Sequence, residues 1–153
     1  MYDKKYNVYL AGLINPECPA TIKWRKDLIA KCQPHKSYRL LNPIAGENYD
    51  FCSKGIHSEA VNSKAIIAKD FASIIHSDAF IVDLNSYGST RPLTGTLFEL
   101  AWAWERHLPV HAVYTEKDRY IRNHPFIEEA VTAWFPNHEM ALRHLERFFI
   151  RGE

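Results

Sequence analysis

Ala79-Phe80-Ile81-Val82, then a helical pattern from Gly95 to Arg106, then Val110-His111-Ala112-Val113, is the stretch that decides the architecture. Each four-residue apolar run suits a strand buried on both faces, and the segment between them suits a helix packed across the pair. Strand, helix, strand reads as a βαβ crossover between parallel strands. Working outward, Val8-Tyr9-Leu10-Ala11 and Arg39-Leu40-Leu41 read as two earlier strands, and Ala133-Trp134-Phe135 as a weaker fifth. Helical patterns occupy the remaining gaps, roughly Ala20 to Lys31, Ser58 to Ile75 and Asn137 to Phe149. The expectation is a single α/β domain over residues 1–153. It is a Rossmann-like three-layer structure with an open, mainly parallel five-stranded sheet, right-handed crossovers placing helices on both faces.

Punctuation supports these edges. Asn15-Pro16 and Pro19 precede the first helix, Pro34 follows it, and Pro109 separates the third helix from the fourth strand. The stretch from Asn42 to His57 has little periodicity and reads as a long loop, a kind of segment that often carries function. A second loop runs from Asn85 to Thr94. Ligands of open α/β sheets bind beyond the carboxyl ends of the strands. A site is therefore expected among Gly12 to Asn15, Asn42 to Asn48, Asp83 to Thr94 and the segment after Val113.

Composition narrows the function classes. The chain has 46% hydrophobic and 24% charged residues and a formal net charge of +1 with signs mixed, so it offers no basic face to a nucleic acid polymer. Cys18, Cys32 and Cys52 are odd in number and widely spaced, which suits thiols in a reducing cytoplasm rather than a disulfide framework. Met1 to Tyr6 shows no apolar core of signal-peptide length, and no apolar stretch approaches the ~18 residues that span a bilayer. A soluble cytoplasmic protein, away from membranes, is expected.

Glu99 is the most unusual residue. From Pro92 to Trp104 it is the only charge, set in Leu97-Phe98-Glu99-Leu100-Ala101-Trp102-Ala103-Trp104. So apolar a helix is expected to be buried nearly all round, its carboxylate with it. An ionised carboxylate without partners is costly to bury, so partners are expected. Thr94-Gly95-Thr96 looks like the helix start, which sets Glu99 near the positive end of the dipole and favours its charged form. Residue context alone leaves a catalytic carboxylate and a structural one tied to an arginine equally open.

Asp70 lies four residues from both Ile66 and Ile74, and with Ile67 and Ile75 these sketch a buried stripe that Asp70 joins or borders. Asp78 stands at the lower end of the third strand, a structural position, whereas Asp83 ends that strand at the ligand edge. Tyr9, next to the Gly12 turn, has a hydroxyl able to donate to a carboxylate, although strand tyrosines commonly serve packing.

Several chemistries lose support. The turn Ala11-Gly12-Leu13-Ile14-Asn15 lacks the GxGxxG dinucleotide pattern, and no GxxxxGK phosphate loop occurs. His138-Glu139 starts like HExxH, but the next histidine is His144. His107 and His111 are kept off a common helix face by Pro109. No Gly-x-Ser-x-Gly elbow is present. Neither a cofactor nor a metal is expected.

Taken together, several segments resemble the nucleoside 2-deoxyribosyltransferase family. Val8-Tyr9-Leu10-Ala11-Gly12 resembles its opening strand and turn, and Trp24-Arg25 a pair in the first helix of some members. Asp70 followed by Asp78 and an apolar strand resembles its second-helix pattern. Gly95-Thr96-Leu97-Phe98-Glu99-Leu100-Ala101-Trp102-Ala103 resembles the signature of the catalytic glutamate, and Leu108-Pro109-Val110 follows at the right distance. The resemblance implies a flavodoxin-like fold and cleavage of the bond between a sugar and a nucleobase. It implies Glu99 as nucleophile, Tyr9 as its orienting group and Asp70 as the group that contacts and helps protonate the base. Gly12, Asp83, Asn85, Thr94 and Gly95 are the accompanying substrate-binding candidates.

The chain departs from the family where many members carry an aspartate, having Arg91-Pro92-Leu93-Thr94 instead. Arg91, with Thr90 and Thr94, suits a phosphate, as in related nucleotide hydrolases. Family members complete the site from a neighbouring subunit, for which Asn123 is the candidate, and a homo-oligomer is implied. Trp102, Trp104 and Trp134 fit an oligomer interface or core packing equally well. The leading expectation is base exchange on deoxynucleosides in nucleoside salvage, with a free nucleobase as second partner. A nucleoside or nucleoside monophosphate N-glycosidase is the alternative, and a nucleotide-binding module without turnover is a third.

Overall fold

The computed structural model describes residues 5–32, 37–44 and 63–150. Five strands form one sheet: β1 Tyr6–Gly12, β2 Tyr38–Leu41, β3 Ala79–Asp83, β4 Val110–Val113 and β5 Ala133–Phe135. Their order is β2-β1-β3-β4-β5 and every pairing is parallel. This is the flavodoxin-like order, in which the winding reverses between β1 and β3. The two strands end together there, Gly12 in register with Asp83.

The helices are α1 Ala20–Cys32, α2 Ser63–Ile75, α3 Thr94–Glu105, α4 Arg119–Arg122, α5 Pro125–Ala130 and α6 His138–Leu145, followed by a π-helical turn Glu146–Ile150. Strand residues alternate between two apolar layers, as the period of two requires. Tyr9, Ala11, Phe80, Val82, Val110 and Ala112 pack with Ile74 of α2, Leu100 and Ala103 of α3 and Ile127 of α5. Val8, Leu10, Ala79 and Ile81 pack on the other face with Trp24 and Leu28 of α1 and Ala141, Leu142 and Leu145 of α6. The three-layer expectation holds.

α3 ends sharply. His107 adopts φ +56°, its N–H donates to Trp104 O and the next N–H, of Leu108, reaches back to Ala103 O. That paired closure satisfies carbonyls of the last turn, and Pro109 then blocks any continuation.

Two expectations need correction. α3 is not buried nearly all round, since Phe98 and Trp104 are 60% and 53% exposed and Leu97 is also exposed. Its buried residues are Thr96, Leu100 and Ala103, one stripe of the helix rather than its circumference. On α2, Ile74 alone of the four isoleucines is fully buried, and Ile67 faces outward. The loop read from Asn42 to His57 and the first turn read at Ser58 fall largely on residues 45–62, outside the described residues.

Candidate active site

Tyr9 and Glu99 meet on the α2–α3 face of the sheet. β1 alternation turns Tyr9 toward that face, where its ring stacks on Phe80 at 5.3 Å and its hydroxyl donates to Glu99 Oε2. Glu99 reaches inward from the second turn of α3, just before buried Leu100. Burial raises Glu99 to about 7, with the charge of Asp70 adding to the rise. The Tyr9 hydrogen bond and the charges of Arg25 and Lys69 oppose it. The helix dipole fades within the first turn, so desolvation outweighs it here. The helix start favours the charged form, as expected, but desolvation leaves the carboxyl poised between its two forms near neutrality. Burial, Glu99 and Asp70 all push Tyr9 well above its ordinary range, so its hydroxyl keeps the proton it donates.

Asp70 on α2 is half-buried, and its charge acts on both members of this pair. Tyr9, Glu99 and Asp70 therefore form one electrostatic group, built from a strand and two neighbouring helices. Such a group, two carboxyls and a phenol in a largely dry setting, suits nucleophilic attack by one carboxylate and proton delivery by another.

Asp83 and Asn85 belong to a separate network on the α1–α6 side. Asp83 Oδ1 accepts from Asn85 N and Nδ2, each at 2.9 Å. Its Oδ2 accepts from the Tyr87 hydroxyl and lies 2.7 Å from His138 Nε2. Asn85 Oδ1 in turn accepts from Thr115 N, and Glu116 accepts from the N–H groups of Ser86 and Tyr87. These bonds pin the β3–α3 loop. The His138 ring also stacks on Trp24 at 4.3 Å. Hollows of about 260 and 210 Å³ open on either side of His138.

Gly12 sits between the two groups. A Cβ there would lie 3.1 Å from Asp83 O, 3.2 Å from Asp83 Cβ and 3.4 Å from Arg25 Nη2. Thr94 and Gly95 form the exposed start of α3, whose N-cap position, Leu93, supplies no side-chain cap. Arg91 and Thr90 are exposed just ahead of it. Asn123 closes α4 at the surface and makes no hydrogen bond to the Tyr9–Glu99 pair. Asp78 is structural, its Oδ2 accepting from Asn7 N at 2.9 Å.

Sequence reasoning gave Arg25 no role beyond its place in the Trp24-Arg25 pair, and it passed over the contacts of His138. Arg25 had a signal: Thr21, Trp24, Arg25 and Leu28 share one helical stripe, and all four are buried. His138 had none, because its partner Asp83 lies 55 residues away in sequence.

A profile of the family described as nucleoside 2-deoxyribosyltransferase matches residues 8–145. A comparison with curated proteins gave no match. Among solved structures, the chain is similar to a 2-desoxiribosyltransferase from Leishmania mexicana, with a TM-score of 0.69 and 18% identity over 94% of this chain and 99% of that one. It is also similar to a CMP N-glycosidase from Clostridium botulinum, with a TM-score of 0.54 and 20% identity over the same shares. At these identities the likeness concerns the fold. Among the described residues no helix is long and apolar enough to cross a membrane.

Proposed function

The chain belongs to the nucleoside 2-deoxyribosyltransferase family, and from this we propose that it moves deoxyribose between nucleobases through Glu99. The observation that carries the reading is the Tyr9 hydroxyl held on a half-buried Glu99 carboxyl. Ionised Glu99 attacks the anomeric carbon as the bond to the base breaks, and the electron pair of that bond leaves with the base nitrogen. Asp70, which carries the proton while Glu99 is ionised, delivers it to the departing base. A second base then attacks the same carbon while its N–H proton passes to Asp70, the Glu99–sugar bond breaks, and both carboxyl groups return to their starting forms. Two inversions retain configuration. Gly12, Thr94 and Gly95 border the sugar, while Asp83 and Asn85 act by holding the loop that carries α3.

Incubation of a deoxynucleoside with and without a second free base, followed by chromatography, tests this. Base exchange is the expected result. A panel yielding no cleavage of any nucleoside or monophosphate would overturn it.

One observation favours a second reading, hydrolysis of nucleoside monophosphates with water as acceptor. Arg91, Thr90 and Thr94 stand exposed at the start of α3, whose first-turn amides lack a side-chain cap. Helix starts of this kind suit phosphate. Release of free sugar phosphate from a monophosphate, with no exchange, would select this reading.

Tyr9→Phe removes a bond that favours the charged form of Glu99. A hydrogen bond to a charged group contributes about 1.5–3 kcal/mol. kcat/KM at pH 7 should fall roughly 10- to 100-fold, with its acid limb displaced to higher pH and partial recovery above pH 8. A limb at the parent's pH would show that the hydroxyl does not act on Glu99.

We further propose that the outward stripe of α3 packs on a second copy, which supplies Asn123 to the site. Leu97, Phe98 and Trp104, beside Ile67 and Phe71 of α2, expose an apolar face next to Glu99, as association surfaces do. Sedimentation should show an oligomer that Phe98→Glu dissociates. A monomeric parent would refute the idea.

A further inference from the structure

Arg25 completes β1 where β2 stops. The even-numbered residues of β1 turn their backbone groups toward β2, as Tyr6 N–H donating to Ser37 O shows. The odd ones face β3, where Asn7 O accepts from Asp78 N–H. The β1–β2 register runs from Tyr6↔Tyr38 to Tyr9↔Leu41. Continued one step, it would ask the N–H of residue 43 to serve the Leu10 carbonyl, and residue 43 is a proline, which has none. Arg25, fully buried on α1, takes that place. Its Nε donates to Leu10 O at 3.1 Å and its Nη2 to Gly12 O at 2.8 Å, while Nη1 is anchored on Thr21 O at 2.7 Å. A planar fork therefore supplies two rungs of a missing strand.

Resting on the reading of Glu99 as nucleophile, we propose that Arg25 is a positioning residue: locked on the Leu10 and Gly12 carbonyls, it fixes the carboxyl end of β1 and holds a positive charge behind the Tyr9–Glu99 pair. Among the described residues, the charged and titratable groups facing Glu99 are Tyr9 from β1, Asp70 and Lys69 from α2, and Arg25 from α1. Asp70 opposes ionisation of Glu99, whereas Arg25 and Lys69 favour it. The Lys69 side chain is 42% exposed and screened by water, but Arg25 is dry, so its field is attenuated less. The same guanidinium sets the level of Gly12 O and hence the height of the turn after β1.

Two variants separate charge from fork. Arg25→Gln removes the charge, and Arg25→Lys keeps it but cannot bridge two carbonyls. Glu99 ionisation is followed in the full chain by carbon-13 NMR of labelled glutamate carboxyls, its signal identified by disappearance in Glu99→Gln. The pH dependence of kcat/KM is followed beside it. Arg25→Gln should move the Glu99 midpoint up by about one pH unit, with a roughly tenfold loss of kcat/KM below it. Arg25→Lys should leave the midpoint in place yet lower kcat about tenfold or more at every pH. An unmoved midpoint in Arg25→Gln, or wild-type kcat in Arg25→Lys, overturns the proposal. If Arg25→Gln does not fold, Arg25→Lys decides alone, with circular dichroism confirming that it is folded. The NMR midpoint needs no substrate, so absence of glycosidic activity would sink the functional reading while still leaving the charge of Arg25 on trial.

Discussion

Glu99→Gln should lose about 10⁴-fold or more of the glycosidic activity and yet unfold less readily than the parent above pH 7. The first effect follows from removal of the attacking oxygen. The second follows from linkage. Burial raises Glu99 from an ordinary 4.5 to about 7, so the folded chain holds this proton more tightly than the unfolded chain does. Its favourable contribution is complete below pH 4.5 and is lost as pH rises through about 7. A displacement of that size corresponds to about 3 kcal/mol, part of which the glutamine recovers while the rest goes to seating its amide. Melting curves of parent and variant should nearly coincide at pH 4.5 and separate steadily to pH 8. Curves that stay parallel would mean Glu99 ionises as freely in the folded protein as in the unfolded one. Wild-type turnover in the variant would remove Glu99 from the mechanism.

Asp83→Ala should destabilise the chain by about 3–5 kcal/mol, the range for removing one partner from a buried polar network. Its two oxygens serve the Asn85 N–H and amide, the Tyr87 hydroxyl and His138. Deletion strands these groups together, loosening the β3–α3 loop from α6. Urea unfolding measures the cost directly. Activity at low temperature, where the variant remains folded, should fall far less than in Glu99→Gln, because Asp83 acts through the loop. A cost below about 1 kcal/mol would show that the network does not hold the loop.

Much of this architecture could be read from the chain because central parallel strands are apolar on both faces. Ala79–Asp83 and Val110–Val113 carry few polar residues and are wholly buried. The helix read from Gly95 to Arg106 was legible from its apolar pattern and its Thr94-Gly95-Thr96 start, and it runs from Thr94 to Glu105. α4 and α5 were not, since four and six residues are too short for a 3.6-residue pattern to emerge. Their local marks were present: Asp118 accepts from Tyr120 N and Ile121 N, and Pro125 opens α5. Glu99 stood out because a lone charge in an apolar helix is conspicuous. Its poise near neutrality was not legible, because that depends first on burial by the folded chain and then on Tyr9, Asp70 and Arg25, which lie 90, 29 and 74 residues away in sequence. Composition likewise could not say whether Phe98 and Trp104 are covered by their own chain, and they are not.

The bare Cα at position 12 matters for anyone grafting a new sugar pocket onto this scaffold. A single added methyl would press on Asp83 and crowd the arginine fork from one point, disturbing the end of β1 and the loop anchorage at once. Libraries built on this scaffold should therefore leave this spot untouched and draw their variation from Thr90, Arg91 and Thr94, whose side chains open to water.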